Sequence, residues 1–344
     1  MTIEEMMTTI KAEASALYQA RIPDLVEAGL TKIGTIILDS TELTTEFCDA
    51  LVGKIAYLVV VGKMFKNPLA NLKGISVPYG KSIQEIYVNP VVGTNYDNDG
   101  NKLLVQTSPD AKAMYYYLNR KSSYPITITN PDLQQAFTNE DEMMSLTNKI
   151  IQSMYSGDEI DEFTLMKSLI GKAVDLGKVV KIEVPELNAT NAKEISKAIS
   201  LVSSDFAFPK SAYNGYNVVN ATAIASGDTA CITWCPLEDQ VILMRNDVQT
   251  EMNYEVLATA FNMDKASIQA MTILVDDFGM STTNIYAVLC DRSAIQVRDN
   301  LFRVADQKIA SNLTWNYWLH HWEWLYVSMF GNMVAFTHTT VVTP

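Results

Sequence analysis

The chain has 344 residues, 48% of them hydrophobic and 19% charged, enough for roughly one large or two to three modest domains with a sizeable core. A formal net charge of -13 argues against general nucleic-acid binding and against anionic membranes. Cys48, Cys231, Cys235 and Cys290 have no framework spacing, which points to a reducing setting, and three histidines supply few enzyme classes. The start, MTIEEMMTTIKAEASAL, is acidic and lacks the basic region of a signal peptide. The apolar run Ile55–Val61 is too short to span a membrane, and His320, His321, Glu323 and Asn332 interrupt the aromatic stretch Trp315–Phe336.

In chain order, the spacing of Met7, Ile10, Ala14 and Leu17 predicts an amphipathic helix over Glu4–Arg21, ended by Pro23. Leu25–Leu38 is poorly patterned. Thr41–Lys54 is helical, with Leu43, Phe47, Leu51 and Val52 on one face. The opening is therefore expected to be short helices on an extended arm without an independent core. Lys63–Tyr124 is net-basic: Lys63, Lys66, Lys73, Lys81, Lys102, Lys112, Arg120 and Lys121 stand against Glu85, Asp97, Asp99 and Asp110. Within it, Ile83–Val92 is a strand, Asp99-Gly100 a favoured turn pair, and Leu103–Gln106 with Ala113–Leu118 the return. Pro125–Thr129 is expected to close this long hairpin.

Gln134–Gly177 is the stretch around which the chain is organised. Met143, Leu146, Ile150 and Met154, then Ile160, Phe163, Met166, Ile170 and Val174, recur at helical spacing. This is one long acidic helix, or two meeting at Ser156-Gly157, with carboxylates opening each half and Gly177 ending it. Lys178–Glu186 alternates as a half-buried strand, and Asn191–Phe206 is a helix striped by Ile195, Ala198, Ile199 and Val202. Ala207–Ser226 is rich in loops. Cys231–Leu237 and Val241–Arg245 follow as short elements, and Tyr254–Phe261 is helical. Met271–Asp276 and Asn284–Cys290 are strands, Asp291–Ala294 is a turn, and the aromatic tail returns through Gly331-Asn332 to complete a sheet, with Lys178–Glu186 as the obvious partner. Interleaved helices and strands make this half α+β or α/β.

Chemical motifs are sparse. His320 and His321 are adjacent in a strand, point to opposite faces and cannot share one ion, so no metal site is expected from them. Phosphate loops and nucleophile elbows are absent. Asp276-Asp277 is a carboxylate pair in sequence, which does not make it convergent in space. Cys231 and Cys235 are expected to be buried, inert thiols. No catalytic residue, metal or cofactor is expected. The basic hairpin is either an ordinary solvated face or a docking element. In the second reading Lys112, Arg120 and Lys121 meet acidic helix faces of a neighbouring copy, formed by Glu140, Asp141 and Glu142 and by Asp158, Glu159 and the carboxylates up to Glu162. Opposed charges on one chain favour a head-to-tail contact that propagates into rings or closed shells.

The order of these parts resembles the tailed-phage major capsid protein. The stretches that carry the resemblance are NPLANLKGISVPYGKSIQEIYVNP (Asn67–Pro90), AFTNEDEMM with SGDEIDEFTLMKSLI (within Ala136–Ile170) and YAVLCDRSAIQVRDNLF (Tyr286–Phe302), which look most like those of small, short-tailed phages. The resemblance implies an α+β fold of the Hong Kong phage capsid type. It divides the chain into an N-terminal arm at 1–62, an extended E-loop hairpin with its base at 63–130, a P domain with a spine helix at 131–190, an A domain at 191–300, and a return to the P-domain sheet at 301–344. It further implies homo-pentamers and homo-hexamers forming an icosahedral or prolate head, a portal protein, and double-stranded DNA enclosed on the inner face without sequence specificity. The location implied is the virion, after synthesis in the host bacterial cytoplasm. A helix beginning within a few residues of Met1 leaves no room for a fused scaffold, so a separate scaffolding protein is expected. Lys102 stands at the hairpin tip, where some members of the family form Lys–Asn cross-links, and no cross-link is expected here. The rival readings are an encapsulin-type nanocompartment shell and, from another class, a soluble enzyme using Asp276, Asp277 or His321.

Overall fold

A computed structural model describes residues 3–55, 65–93, 95, 106–188, 190–259, 271–279 and 281–339. The chain opens with helices α1 (Ile3–Glu13), α2 (Ala16–Arg21), α3 (Leu25–Ala28), α4 (Leu30–Asp39) and α5 (Thr41–Ile55). Strands β1 (Ser82–Val88), β2 (Ala111–Tyr117) and β3 (Arg120–Thr129) precede helices α6 (Asn130–Ala136) and α7 (Glu140–Ile150), a π-helical turn (Ile151–Tyr155) and helix α8 (Ser156–Asp175). Then come β4 (Val180–Glu183), α9 (Ala192–Phe206), α10 (Gly215–Val219), α11 (Ala221–Ala225), β5 (Gln240–Arg245), α12 (Asn246–Thr259) and β6 (Met271–Val275). The last elements are β7 (Asn284–Asp291), β8 (Ile295–Ile309), β9 (Thr314–Val327) and β10 (Met333–His338). The chain divides into two units: Met1–Asn67 with Arg120–Glu162 and Asp299–Glu323, and Pro68–Asn119 with Phe163–Arg298 and Trp324–Pro344.

The first unit corrects the expectation of an extended arm, because the opening helices share one core with later segments of the chain. Ile10 of α1, Tyr18 of α2, Ile33 and Ile37 of α4, and Phe47 and Leu51 of α5 are buried in one cluster with Met143, Ile150, Trp315 and Leu319. Each such side chain contributes about 1.5–3 kcal/mol by leaving water. Helix α4 escapes a single-stripe reading because it is apolar on more than one side. Leu30, Ile33, Gly34 and Ile37 are buried, and Ile36 and Leu38 also pack on the cluster. A Cβ on Gly34 would stand 2.4 Å from Phe137 Cβ, so only glycine permits this approach. The expected helix Glu4–Arg21 is two helices, because Ser15 caps α2 by accepting from the Tyr18 N–H at 3.2 Å. Helix α6 starts with a capping box between Thr129 and Asp132, and Asn139 accepts from the Glu142 N–H at 2.9 Å before α7. The long helix is therefore segmented, with the π-helical turn immediately before the suspected Ser156-Gly157 break.

Strand β3 pairs antiparallel with β9, from Arg120↔Glu323 to Thr129↔Thr314. Pro125–Thr129 thus belongs to the β3-β9-β8 sheet and does not close the hairpin. Its inward side chains Tyr124, Ile126 and Ile128 belong with the helical core of this unit, which draws the strand away from β1 and β2.

The second unit is built on a five-stranded sheet of order β4-β10-β7-β5-β6. Alternation sends Val241, Leu243, Val288, Met333 and Ala335 to one face and Ile242, Met244, Leu289, Val334 and Phe336 to the other. Met166, Ile170 and Val174 of α8 cover the first face, and Ile195, Ile199 and Phe206 of α9 cover the second. Strand β4 pairs parallel with β10, Val180 opposite Val334, as the sequence suggested. Helix α8 ends as expected at Gly177, whose φ of 65° lets the Lys178 N–H reach the Ala173 carbonyl at 3.0 Å.

Strands β1 and β2 form a separate antiparallel ribbon in register Ser82↔Tyr117 to Val88↔Ala111. One face is half-buried. There Tyr116 stacks on Tyr326 at 3.8 Å between ring centroids, Tyr87 stacks on Phe330 at 5.5 Å, and Glu85 accepts from the Ser328 hydroxyl at 2.6 Å. The expected turn at Asp99-Gly100 and Lys102 lie outside the described residues. Strand β8 was not anticipated, because polar Gln296, Arg298, Asn300, Arg303 and Asp306 break up its apolar residues.

Candidate functional site

The strongest concentration of chemistry lies within the first unit. Pairing of β3 with β9 sets Arg120 opposite Glu323, and the two-residue strand period puts His321 on the same face as Glu323. The helical period puts Asp158 and Glu162, four residues apart on α8, on one side. Arg120 donates to Glu323 and, at 2.8 Å, to Asp158, while its second terminal nitrogen also reaches the Tyr124 hydroxyl at 2.9 Å. The His321 ring is held on both sides. Its Nδ1 lies 2.8 Å from the Asp158 carboxylate, and its Nε2 lies 3.1 Å from Asp299 and 3.2 Å from Glu323. Asn67 bonds to Glu162 through its side chain at 2.8 Å and to Glu159 through its backbone N–H at 2.9 Å. Arg120, Asp158, Glu162, His321 and Glu323 are all buried.

Burial would strip the His321 ring of its proton. Hydrogen bonds donated by the ring to Asp158, Asp299 and Glu323 outweigh that and push its pKa up to about 11. Burial likewise works against the Arg120 charge, and Glu323 and Asp158 overcome it. The residues at which the chain leaves this unit, Asn67, Arg120, Glu162, Asp299 and Glu323, are all members of this one cluster.

This geometry corrects part of the expected inter-subunit contact. Arg120 and Asp158 do meet, as complementary charges, but inside one chain and buried. Strand pairing turns Arg120 inward, where it is buried. Glu159 is engaged with Asn67. Lys112 is taken up within the second unit by Asp228 at 2.9 Å and Asp110 at 3.3 Å. Lys121 points to solvent with its ammonium 4.8 Å from the Trp322 ring centroid, and Glu140 and Asp141 are exposed in the first turn of α7. Glu142 is half-buried and accepts from Gln135 at 2.9 Å.

Asp276 and Asp277 both reach the buried Lys167 ammonium, at 2.5 and 3.1 Å. The cysteines are buried, and burial pushes the thiols of Cys48 up to about 12 and Cys231 up to about 11, which makes them poor nucleophiles. Considering only the His320–His321 pair missed the signal. His321-x-Glu323 was the spacing that shares a face, and Asp158 with Glu162 was its helical counterpart.

The second feature is the outward face of the β1–β2 ribbon, where Ile86, Val88, Tyr115 and Tyr117 are exposed. Gln84 lies opposite Tyr115 and Ile86 opposite Ala113, so Ile86 and Tyr115 are diagonal neighbours on one apolar strip.

A segmented long helix, a two-stranded ribbon and a helix-covered mixed sheet make an α+β fold that matches solved phage capsid proteins. The capsid protein of Staphylococcus phage Andhra has this fold, with a TM-score of 0.63 and 12% identity over 82% of this chain and 87% of that one. Residues 7–337 match the family described as Phi29-like phage major capsid protein, and the chain belongs to that family. It is 30% identical over 318 residues to the major capsid protein of Bacillus phage GA-1, covering 91% of this chain and 65% of that protein's length. It is 29% identical to the major capsid protein of Streptococcus phage Cp-1, covering 96% of this chain and 92% of that protein. The expected fold and the placing among small short-tailed phages agree with these matches.

Proposed function

We propose that this chain acts by self-association, as a shell subunit without enzymatic activity. Copies form pentamers and hexamers, and the outward face of each β1–β2 ribbon lies over the body of the next. The observation that carries this reading is the exposure of Ile86 at 61%, Val88 at 52%, Tyr115 at 57% and Tyr117 at 70% on one strip. An apolar strip of that kind marks an interaction surface. Lys121, Glu140 and Asp141, with Lys102, stand as the rim charges that set register between copies.

In this reading residues 1–62 serve as the N-terminal arm, 63–130 as the E-loop, 131–190 and 301–344 as the P domain, and 191–300 as the A domain. The finished head belongs to the virion, is made in the bacterial cytoplasm with a separate scaffolding protein and a portal, and encloses double-stranded DNA without a membrane. The acidic chain encloses that DNA without gripping it tightly.

Size-exclusion chromatography with negative-stain microscopy of the purified protein tests this. Rings or closed particles are expected, and Ile86→Ser with Tyr115→Ser should abolish them while leaving the circular dichroism spectrum unchanged. A chain that stays monomeric under all assembly conditions, or a double variant that assembles normally, would overturn the proposal.

A further inference from the structure

Glu162, Asp299, His321 and Glu323 each offer one ligand atom, and these atoms lie within 4.8 Å of one another. Donors that share one ion at about 2.0–2.4 Å stand no farther apart than that. The four come from three different elements, α8, β8 and β9, so the convergence is a product of the fold. Glu323, His321 and Glu162 are exposed by only 0%, 2% and 4%.

What separates this from an ordinary acidic patch is the shell around the donors. Asp158 holds Nδ1 of His321 at 2.8 Å, which turns Nε2 toward the carboxylates of Asp299 and Glu323. Arg120 holds Oε2 of Glu323, while Oε1 faces His321. The Asn67 amide holds Oε1 of Glu162 at 2.8 Å. Three of the four donors are thus fixed from behind by a residue outside the set, which is how metal ligands are oriented in proteins. A carboxylate on the far nitrogen of a histidine is the recurring form of that arrangement.

From this geometry we infer that Glu162, Asp299, His321 and Glu323 form a binding site for a divalent first-row transition ion, Mn²⁺ or Zn²⁺. The ion takes the lone pair of Nε2, with the proton of the neutral ring on Nδ1 donated to Asp158. The imidazole nitrogen selects against Mg²⁺ and Ca²⁺, which prefer all-oxygen shells. The three carboxylates supply the negative charge that a doubly charged ion needs. The site is separate from the ribbon face and does not depend on the shell reading.

The test uses the full chain, stripped with EDTA and titrated by calorimetry with MnCl₂ and with ZnCl₂. Saturable binding of one ion per chain is expected. Electron spin-echo spectroscopy of the Mn²⁺ form should show coupling to one imidazole nitrogen. Asp299→Asn should weaken binding about 10-fold or more, and because the Asp299 side chain is 35% exposed the variant keeps its fold. His321→Gln should remove the nitrogen coupling, and Glu140→Gln should change nothing. Absence of saturable binding with both ions, binding equally tight in Asp299→Asn, or a bound Mn²⁺ without nitrogen coupling would each overturn the assignment.

Discussion

The β1–β2 ribbon and the β3–β9 pair are both antiparallel, alternating and supplied with basic residues, yet they use their faces in opposite ways. In β1–β2 the half-buried face carries Glu85, Tyr87, Lys112 and Tyr116, and the apolar Ile86, Val88, Tyr115 and Tyr117 go to water. In β3–β9 the buried positions take both the apolar Ile128 and the charged Arg120 with Glu323. Sign of charge in the sequence therefore does not tell a docking lysine from a structural arginine. The neighbour opposite each residue in the strand register does.

Breaking the buried pair gives the largest contrast. Arg120→Ala leaves Asp158 and Glu323 without their guanidinium and should cost about 3–5 kcal/mol in chemical denaturation. Ile128→Ala, near the other end of β3 and buried in the helical core, should cost about 2–5 kcal/mol by the same measurement. Gly34→Ala sharpens the case for the helical core beneath β3: the added methyl meets Phe137 and should cost about 1–3 kcal/mol, with a shifted Phe137 ring resonance.

A pH effect follows from Asp175 in the second unit. Burial alone would raise its pKa, but hydrogen bonds from the Thr282 backbone, the Thr283 side chain and backbone and Ser281 win and hold it at about 2. Its folded value lies below the unfolded one, so this contribution is present above about pH 4 and is lost as pH falls toward about 2. Asp175→Asn should flatten the acid limb of the stability profile. On the ribbon, Ile86→Ser should shift stability by no more than about 0.5 kcal/mol yet slow assembly sharply in light scattering. Lys121→Glu should cost about 0.5–1 kcal/mol through the lost contact with Trp322 and should alter the salt dependence of assembly.

Local patterns were legible where one face of one element is buried. Met143, Leu146 and Ile150 announced α7, Ile195, Ile199 and Val202 announced α9, and the tail found its partner in β4. Leu30–Asp39 was obscured because it is apolar on several sides, and β8 because it is polar on both. The charged cluster was readable only in fragments. Arg120 and Glu323 are 203 positions apart and His321 and Asp158 are 163 apart, and no periodicity reports contacts of that range.

Every segment that enters or leaves the first unit does so at a member of one ionic hub. Charge-assisted hydrogen bonds are short and directional, so they lose their hold over small displacements. Fraying therefore has no crossing at which to begin quietly and spread. In native-state hydrogen exchange the amides flanking 67, 120, 162, 299 and 323 should open together with one common free energy, and under a pulling force that edge should snap rather than yield.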